Sequence, residues 1–156
     1  MLTTGIKFIN FKGKPSTKIL KKKLNFLLKE NNQVLRSLSK DYKNDYNTNI
    51  VKRYKKFLNY RIIGMGGSSL GAQAIYDFLK EKIKKKFSFI DNLQINSKKD
   101  NLSESTNLII SKSGNTIETI VNANIVIKKK DKNIFITEKR DSYLYNLANK
   151  LKAEIV

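Results

Sequence analysis

Apolar and polar positions follow two different patterns along the chain, and the change comes near residue 60. After that point, apolar runs of four or five residues are separated by longer stretches in which apolar residues recur every three or four positions. The short runs predict buried strands and the longer period predicts amphipathic helices. The predicted strands are 61–65, 87–90, 107–111 and 133–137, and the predicted helices are 69–84, 116–128 and 142–151. This alternation predicts an α/β fold with a parallel sheet between two helical layers.

The order of the predicted strands follows from the rules for crossover connections. Right-handed crossovers permit few orders, and we expect the flavodoxin-like order 2-1-3-4-5, with residues 153–156 beginning the fifth strand. Strands 1 and 3 are then neighbours, and their carboxyl ends face the edge where open α/β sheets bind ligands.

The residues before the sheet predict helices. A helix is expected to start at residues 15–17 and to carry a leucine stripe through Leu38, interrupted near residues 31–32. A second helix is expected to present an apolar face from Ile50 to Leu58 after a polar loop at 42–49. The leucine stripe is interpreted as a packing surface. The predicted domains are a helical extension, residues 1–59, and an α/β domain, residues 60–156, that is incomplete at its C-terminal end.

Two turns rich in glycine and serine follow the first and third predicted strands. Their sequences are GMGGSSLG at 64–71 and SKSGNT at 111–116. Each lies between a strand and a helix, where small residues permit close backbone approach and the helix N-terminus favours an anion. Two such turns at neighbouring strands are expected to converge on one phosphate. Taken singly, each turn also has a simpler interpretation as a tight connection with a helix N-cap near Thr116.

Known glycine motifs match the first turn only in part. The dinucleotide fingerprint G-x-G-x-x-G has its first two glycines from Gly64, but Ser69 stands at the third place. A P-loop is disfavoured because Ala72 and Gln73 stand where lysine and a hydroxyl residue would be required. A nucleotide site with Asp91 as the ribose-binding acid is retained as a lesser alternative.

The second turn has the composition of a site for a phosphate monoester. It offers three hydroxyls, from Ser111, Ser113 and Thr116, beside the cation of Lys112. Neither turn has paired aspartates for a metal, so the donors would bind the dianion through charge-assisted hydrogen bonds alone. We therefore expect no metal and no cofactor.

The two motifs together resemble those of the phosphoglucose isomerase family, in its sugar isomerase (SIS) domain. The resemblance runs from about residue 60 to the C-terminus and rests on residues 64–71 and 111–119. It implies that the substrate phosphate is bound by backbone N–H groups at Gly67 and Lys112 and by hydroxyls. The matching hydroxyls are those of Ser68, Ser111, Ser113 and Thr116.

The resemblance can also be compared at three further positions, Glu118, Ser69 and Asn115. Glu118 matches an acidic residue near the family's active-site histidine, which implies a supporting catalytic role, although a carboxylate in a first helical turn is also favoured by the helix dipole. Ser69 stands where the family often has an acidic or aromatic residue. Asn115 replaces a usual threonine, so Asn115→Thr is expected to leave phosphate binding unchanged or to improve it.

The activity implied by the resemblance is interconversion of glucose 6-phosphate and fructose 6-phosphate, a step of glycolysis and gluconeogenesis. The chain has neither histidine nor cysteine, which excludes imidazole and thiolate chemistry from these 156 residues. The family's glutamate base, histidine, arginine and lysine lie beyond the matching segment. We therefore expect an N-terminal part of a longer enzyme, completed by its remainder or by a partner subunit in a homodimer. A non-catalytic SIS module that binds sugar phosphates is the alternative.

The charge of the chain suggests another class of partner. The net charge is +19, but 28 of the 32 basic residues are lysine, spread over helix faces and loop ends. Specific nucleic-acid recognition relies on arginine as well, so the charge is interpreted as solvated and compositional, although its field would attract sugar phosphates. No apolar run is long enough for a membrane span or a signal peptide, and we expect a cytoplasmic location.

Overall fold

Five parallel strands with intervening helices form the part of the chain that follows residue 58. The computed structural model describes residues 17–30, 32–43, 46–93, 105–128 and 130–156. The chain divides into two compact units, Met1–Asp45 and Tyr46–Val156. No helix within the described ranges is long and apolar enough to cross a membrane.

The described part of the first unit contains two helices, α1 (Lys18–Lys29) and α2 (Gln33–Ser37). Their starts agree with the sequence, because Thr17 Oγ1 accepts a hydrogen bond from the Leu20 amide and Asn32 Oδ1 accepts one from the Val34 amide. Within the described residues, the α1 members of the leucine stripe are 45 to 58% exposed, so the burial expected for this stripe is not found there. These leucines are Leu20, Leu24, Leu27 and Leu28.

The second unit contains the sheet, whose predicted order is confirmed as β2-β1-β3-β4-β5, with all strands parallel. The helices in this unit are α3 (Thr48–Tyr54), α4 (Leu70–Leu79), α5 (Ile117–Val126) and α6 (Tyr143–Leu151). The strands are β1 (Asn59–Gly64), β2 (Lys86–Ile90), β3 (Thr106–Ile110), β4 (Lys132–Ile136) and β5 (Glu154–Ile155).

The core lies on one face of the sheet, where a row of side chains crosses three strands in register. Ile63 pairs with Ile109, which pairs with Phe135, and all three are fully buried. Alanine and leucine side chains of α5 and α6 pack on this row, each large side chain contributing about 1.5–3 kcal/mol. On the opposite face, Tyr76 of α4 contacts the ring of Phe87 at 5.1 Å between centroids. The predicted three-layer arrangement is therefore confirmed.

Two predicted helices end earlier in the structure. Helix α4 ends at Leu79 rather than near residue 84. The lysine-rich segment that follows leaves the helix because it forms hydrogen bonds with the residues that precede β1. There the Lys85 ammonium donates to the carbonyls of Lys55 and Phe57, and the Lys86 amide donates to the Leu58 carbonyl at 2.8 Å. Helix α3 ends at Tyr54, so Phe57 and Leu58 belong to the connection to β1 rather than to a helical face.

Candidate functional site

The two glycine and serine turns lie side by side at the carboxyl edge of the sheet. Gly64, the last residue of β1, is paired with Ile110, the last residue of β3. A Cβ atom added at Gly64 would lie 3.1 Å from the Ile110 carbonyl oxygen and 3.1 Å from Ser68 Cβ. The first turn therefore folds back against the end of β3, where the second turn begins, and glycine provides the space for it. The structure thus brings together the two segments that the sequence singled out.

The first turn is a short 3-10 segment, Gly66–Ser68, between β1 and α4. Gly66 has φ +56°, a left-handed conformation that favours glycine. Ser69 is fully buried, and its hydroxyl donates to the Gly66 carbonyl at 3.3 Å, so it stabilises the turn from within. An added Cβ at Gly67 would meet no atom within 4 Å. Packing does not require glycine there, and the open space in front of Gly67 allows a ligand to approach the backbone.

The hydroxyls of the second turn are held by hydrogen bonds within the turn. Ser111 Oγ accepts from the Gly114 amide at 3.2 Å and lies 3.0 Å from Thr116 Oγ1. Ser113 Oγ accepts from the Asn115 amide at 3.2 Å. Ser111 is buried, whereas Ser113 and Thr116 are partly exposed. These contacts orient the hydroxyls before any ligand is present.

The helices that start at the two turns lack the N-cap side-chain hydrogen bonds that α1, α2 and α3 have. Hydrogen-bonding side chains of Thr17, Asn32 and Asn47 cap α1, α2 and α3. No side chain caps α4 or α5 within the described residues. Thr116 occupies the N-cap position of α5, but its hydroxyl bonds to Ser111 instead. The first amides of both helices therefore have no side-chain acceptor at the edge where the hydroxyls gather, which is an arrangement that favours an anion.

Lys112 and Glu118, the two charged residues predicted for the site, have different environments. The Lys112 side chain is 89% exposed, and its Nζ lies 3.9 Å from one carboxylate oxygen of Glu138, whose other oxygen lies 3.1 Å from Arg140 Nε. Such an exposed pair contributes less than about 1 kcal/mol. Glu118 lies in the first turn of α5 and is partly buried.

Asp91, the acid of the nucleotide alternative, follows β2 and accepts a hydrogen bond from the Asn92 side chain at 3.2 Å. It lies outside both glycine turns, next to the edge strand of the sheet. Within the described ranges, no group of three or more acidic, histidine or cysteine side chains could hold a metal ion.

Asn115 and Gly114 contact α6, which no sequence pattern indicated. Asn115 Oδ1 accepts from the Tyr143 amide at 2.9 Å, and the Gly114 carbonyl accepts from the Leu144 amide at 3.0 Å. The first of these contacts joins residues 28 positions apart, and no local pattern reveals a cap of this kind. It also changes the expectation for Asn115→Thr. A threonine hydroxyl is one bond shorter than the asparagine amide oxygen, so the substitution is now expected to weaken the contact with α6.

Comparison with known proteins agrees with the motifs. Residues 11–146 match the family model described as phosphoglucose isomerase. A glucose-6-phosphate isomerase of Borrelia garinii subsp. bavariensis is 36% identical over 110 residues, covering 64% of this chain and 21% of that protein. The one of Methanocaldococcus jannaschii is 40% identical over 105 residues, covering 60% and 26%. The chain therefore spans about a quarter or less of the length of these relatives.

Two solved structures share the fold at lower sequence identity. A hypothetical protein from Thermus thermophilus has a TM-score of 0.55 and 18% identity, covering 67% of this chain and 28% of that one. The tagatose-6-phosphate ketose/aldose isomerase from Escherichia coli has a TM-score of 0.51 and 17% identity, covering 66% and 30%. They show the fold alone. Because the family model extends over most of the sequence and both of its motifs meet at one edge of the sheet, this chain belongs to the phosphoglucose isomerase family.

Proposed function

We propose that this chain forms the phosphate-binding part of an aldose–ketose isomerase that interconverts glucose 6-phosphate and fructose 6-phosphate in the cytoplasm. The observation that carries the proposal is the junction of the two turns at Gly64 and Ile110, with two uncapped helices starting there. The proposal places hydroxyl and amide donors from both turns around one phosphate. Family membership supplies the substrate class.

The proposed phosphate site uses donors of three kinds. Hydroxyl groups of Ser68 and Ser113 donate from the two turns, and Thr116 donates from the start of α5. Backbone N–H groups at Gly67, where the space is open, and at Lys112 add two further donors. The N-terminal dipoles of α4 and α5 supplement the hydrogen bonds in balancing the two negative charges. The neutral sugar body then extends away from the turns.

The chemical step needs groups in addition to this site. Isomerisation moves a proton from C2 to C1 of the open-chain sugar through an enediol, with a base that first takes and then returns the proton. The 156 residues contain no histidine for ring opening. We propose that the base and the histidine come from the remainder of the enzyme or from the partner subunit of a homodimer. Glu118, in the first turn of α5, would orient that histidine in a supporting role.

Calorimetric titration with 6-phosphogluconate, an open-chain mimic of the substrate, tests the binding role. The phosphorylated ligand is expected to bind, and gluconate, which lacks the phosphate, is expected not to bind. Equal binding of the two ligands would contradict the phosphate site. A coupled assay tests whether the catalytic base and histidine lie outside this chain, because these 156 residues alone are then expected to show no turnover. Substantial isomerisation by them would instead assign the base role to Glu118.

A second candidate function is binding of a sugar phosphate without catalysis. It is favoured by the absence of histidine from a chain whose turns nevertheless supply the phosphate donors. The two candidates differ when the chain is mixed with the missing segment of a family relative. Turnover in the mixture supports the isomerase, whereas ligand binding with no turnover supports the binding module.

A further inference from the structure

Asn115 connects the second turn to a helix that begins 28 residues later. Its side-chain oxygen accepts a hydrogen bond of 2.9 Å from the backbone amide of Tyr143, which is the first residue of α6. Its own backbone amide donates to Ser113 Oγ at 3.2 Å. One residue therefore holds both the N-terminus of α6 and the hydroxyl that we place at the phosphate.

Ser142 explains why α6 takes its cap from a distant residue. Ser142 occupies the N-cap position, but its hydroxyl makes no capping bond and is buried without a hydrogen-bond partner among the described residues. Its side chain fills the space beside Gly114, where an added Cβ would lie 2.2 Å from Ser142 Oγ. With Ser142 turned toward Gly114, the first amides of α6 depend on the second turn for acceptors.

The geometry points to Asn115 as a positioning residue for the phosphate site, an inference that rests on the function proposed above. The Asn115 oxygen is already engaged by Tyr143, so the side chain acts on the ligand through the turn. Two hydrogen bonds from α6 hold this part of the turn: one goes to the Asn115 side chain and the other to the carbonyl of the peptide that joins Gly114 to Asn115.

Asn115 affects ligand binding through the hydroxyl group of Ser113. Because Ser113 Oγ accepts the Asn115 amide hydrogen, one of its lone pairs is engaged and its own hydrogen remains available as a donor. Loss of the Asn115 side-chain bond leaves this peptide held to α6 by the Gly114 carbonyl alone, so the contact that orients the Ser113 hydroxyl is weakened. Phosphate affinity then depends on a side chain that does not itself contact the phosphate.

The test compares two asparagine caps of the same unit. Asn115→Ala removes the acceptor for α6, and Asn47→Ala removes the equivalent acceptor for α3, where Asn47 Oδ1 accepts from the Asn49 amide at 2.9 Å. Both variants are expected to lower the melting temperature to a similar extent. Only Asn115→Ala is expected to weaken 6-phosphogluconate binding, by about three- to tenfold. Equal losses of affinity in both variants would reduce Asn115 to a stabilising residue and overturn the inference.

A double-mutant cycle separates positioning from general damage. In a Ser113→Ala background, Asn115→Ala is expected to cause little further loss of affinity, because both changes act on the same hydroxyl. Additive losses would overturn the inference. Asn115→Asp retains an acceptor and is expected to preserve slow hydrogen exchange at the Tyr143 amide, which Asn115→Ala accelerates. If the wild-type chain does not distinguish 6-phosphogluconate from gluconate, the proposed function fails. If it does and Asn115→Ala binds as tightly, only the positioning role fails.

Discussion

The hydroxyl oxygens of Ser111 and Thr116 lie 3.0 Å apart and join the two ends of the second turn. Ser111 Oγ also accepts a hydrogen bond from the Gly114 amide. Ser111 is only 2% exposed, so its hydrogen has little access to water, and Thr116 Oγ1 is an acceptor within reach. Donation from Ser111 to Thr116 leaves the Thr116 hydrogen pointing away from this pair. We therefore expect Thr116 to be the member of the pair that donates to an anion, and we expect Ser111, which the resemblance also assigns to the phosphate, to act through Thr116.

Thr116→Val tests this direction of donation with almost no change in shape. The variant is expected to weaken 6-phosphogluconate binding by about ten- to a hundredfold, because a hydroxyl donor to a charged oxygen is lost. Thr116→Ser keeps the hydroxyl and is expected to bind nearly as tightly as the wild type. Calorimetry measures both. Wild-type affinity in Thr116→Val would show that the hydroxyl does not donate to the ligand.

Ser68→Ala and Ser113→Ala test whether the two turns form one site. Each removes one hydroxyl donor from a different turn, and each is expected to weaken phosphate binding by about ten- to a hundredfold. Ser88→Ala serves as the control, because Ser88 lies on β2 and its hydroxyl has no hydrogen-bond partner among the described residues. If only one of the two serine variants loses affinity, the two turns do not form one site, and the turn whose variant keeps its affinity has a packing role only.

The sheet could be predicted because its signals are local. The apolar runs around Ile63, Ile109 and Phe135 lie in buried strands, and crossover handedness limits the strand order. The two turns were also found from sequence, since glycine and hydroxyl residues after a strand are a local pattern. Their adjacency followed once the order was assumed, and the pairing of Gly64 with Ile110 agrees with it.

Features that depend on distant contacts were missed or misplaced. The segment after Leu79 contains good helix formers, yet it leaves the helix because Lys85 and Lys86 bond to backbone carbonyls before β1. Asn115 looked like a neutral replacement within a loop, since nothing near it in sequence indicates a partner in α6. In each case the hydrogen-bond partner lies about 28 residues away in the sequence, which is far beyond the period of a helix or a strand.

Gly114→Ala is expected to destabilise the second unit. Gly114 has φ +68°, and an alanine Cβ would lie 2.2 Å from Ser142 Oγ and 3.1 Å from Thr137 Oγ1. The expected loss is about 1–3 kcal/mol in the free energy of unfolding, measured by urea denaturation. Adding Ser142→Gly removes the contact with Ser142 but neither the contact with Thr137 nor the backbone strain, so the double variant should recover part of the loss. Gly71→Ala is the control, because no atom lies within 4 Å of its added Cβ and alanine favours a helix. Unchanged stability in Gly114→Ala would contradict the geometry of this turn.

Duplex DNA is expected to bind weakly, without sequence preference, and only at low salt. The chain carries 28 lysines and 4 arginines, and few phosphates would be held by lysines spread over many surfaces. Fluorescence anisotropy over a range of salt concentrations measures the effect with two unrelated duplexes. A shallow salt dependence together with preference for one duplex would show a specific nucleic-acid site instead.

Phosphate affinity is expected to fall as the pH is lowered through about 6, where a phosphate monoester takes up its second proton. The chain contains no histidine, the residue whose ordinary pKa lies in this range, so we expect the change to come from the ligand. If only the dianion binds, the affinity for 6-phosphogluconate falls about tenfold per pH unit below that pKa. The sulfate monoester of the same sugar acid serves as the control, because its sulfate group keeps a single negative charge throughout this range. Calorimetry between pH 5 and pH 8 should show a pH-dependent affinity for the phosphate and a constant one for the sulfate. A parallel fall for both ligands would mean that a group of the protein takes up the proton, and equal phosphate affinity across the range would contradict a site built for a dianion.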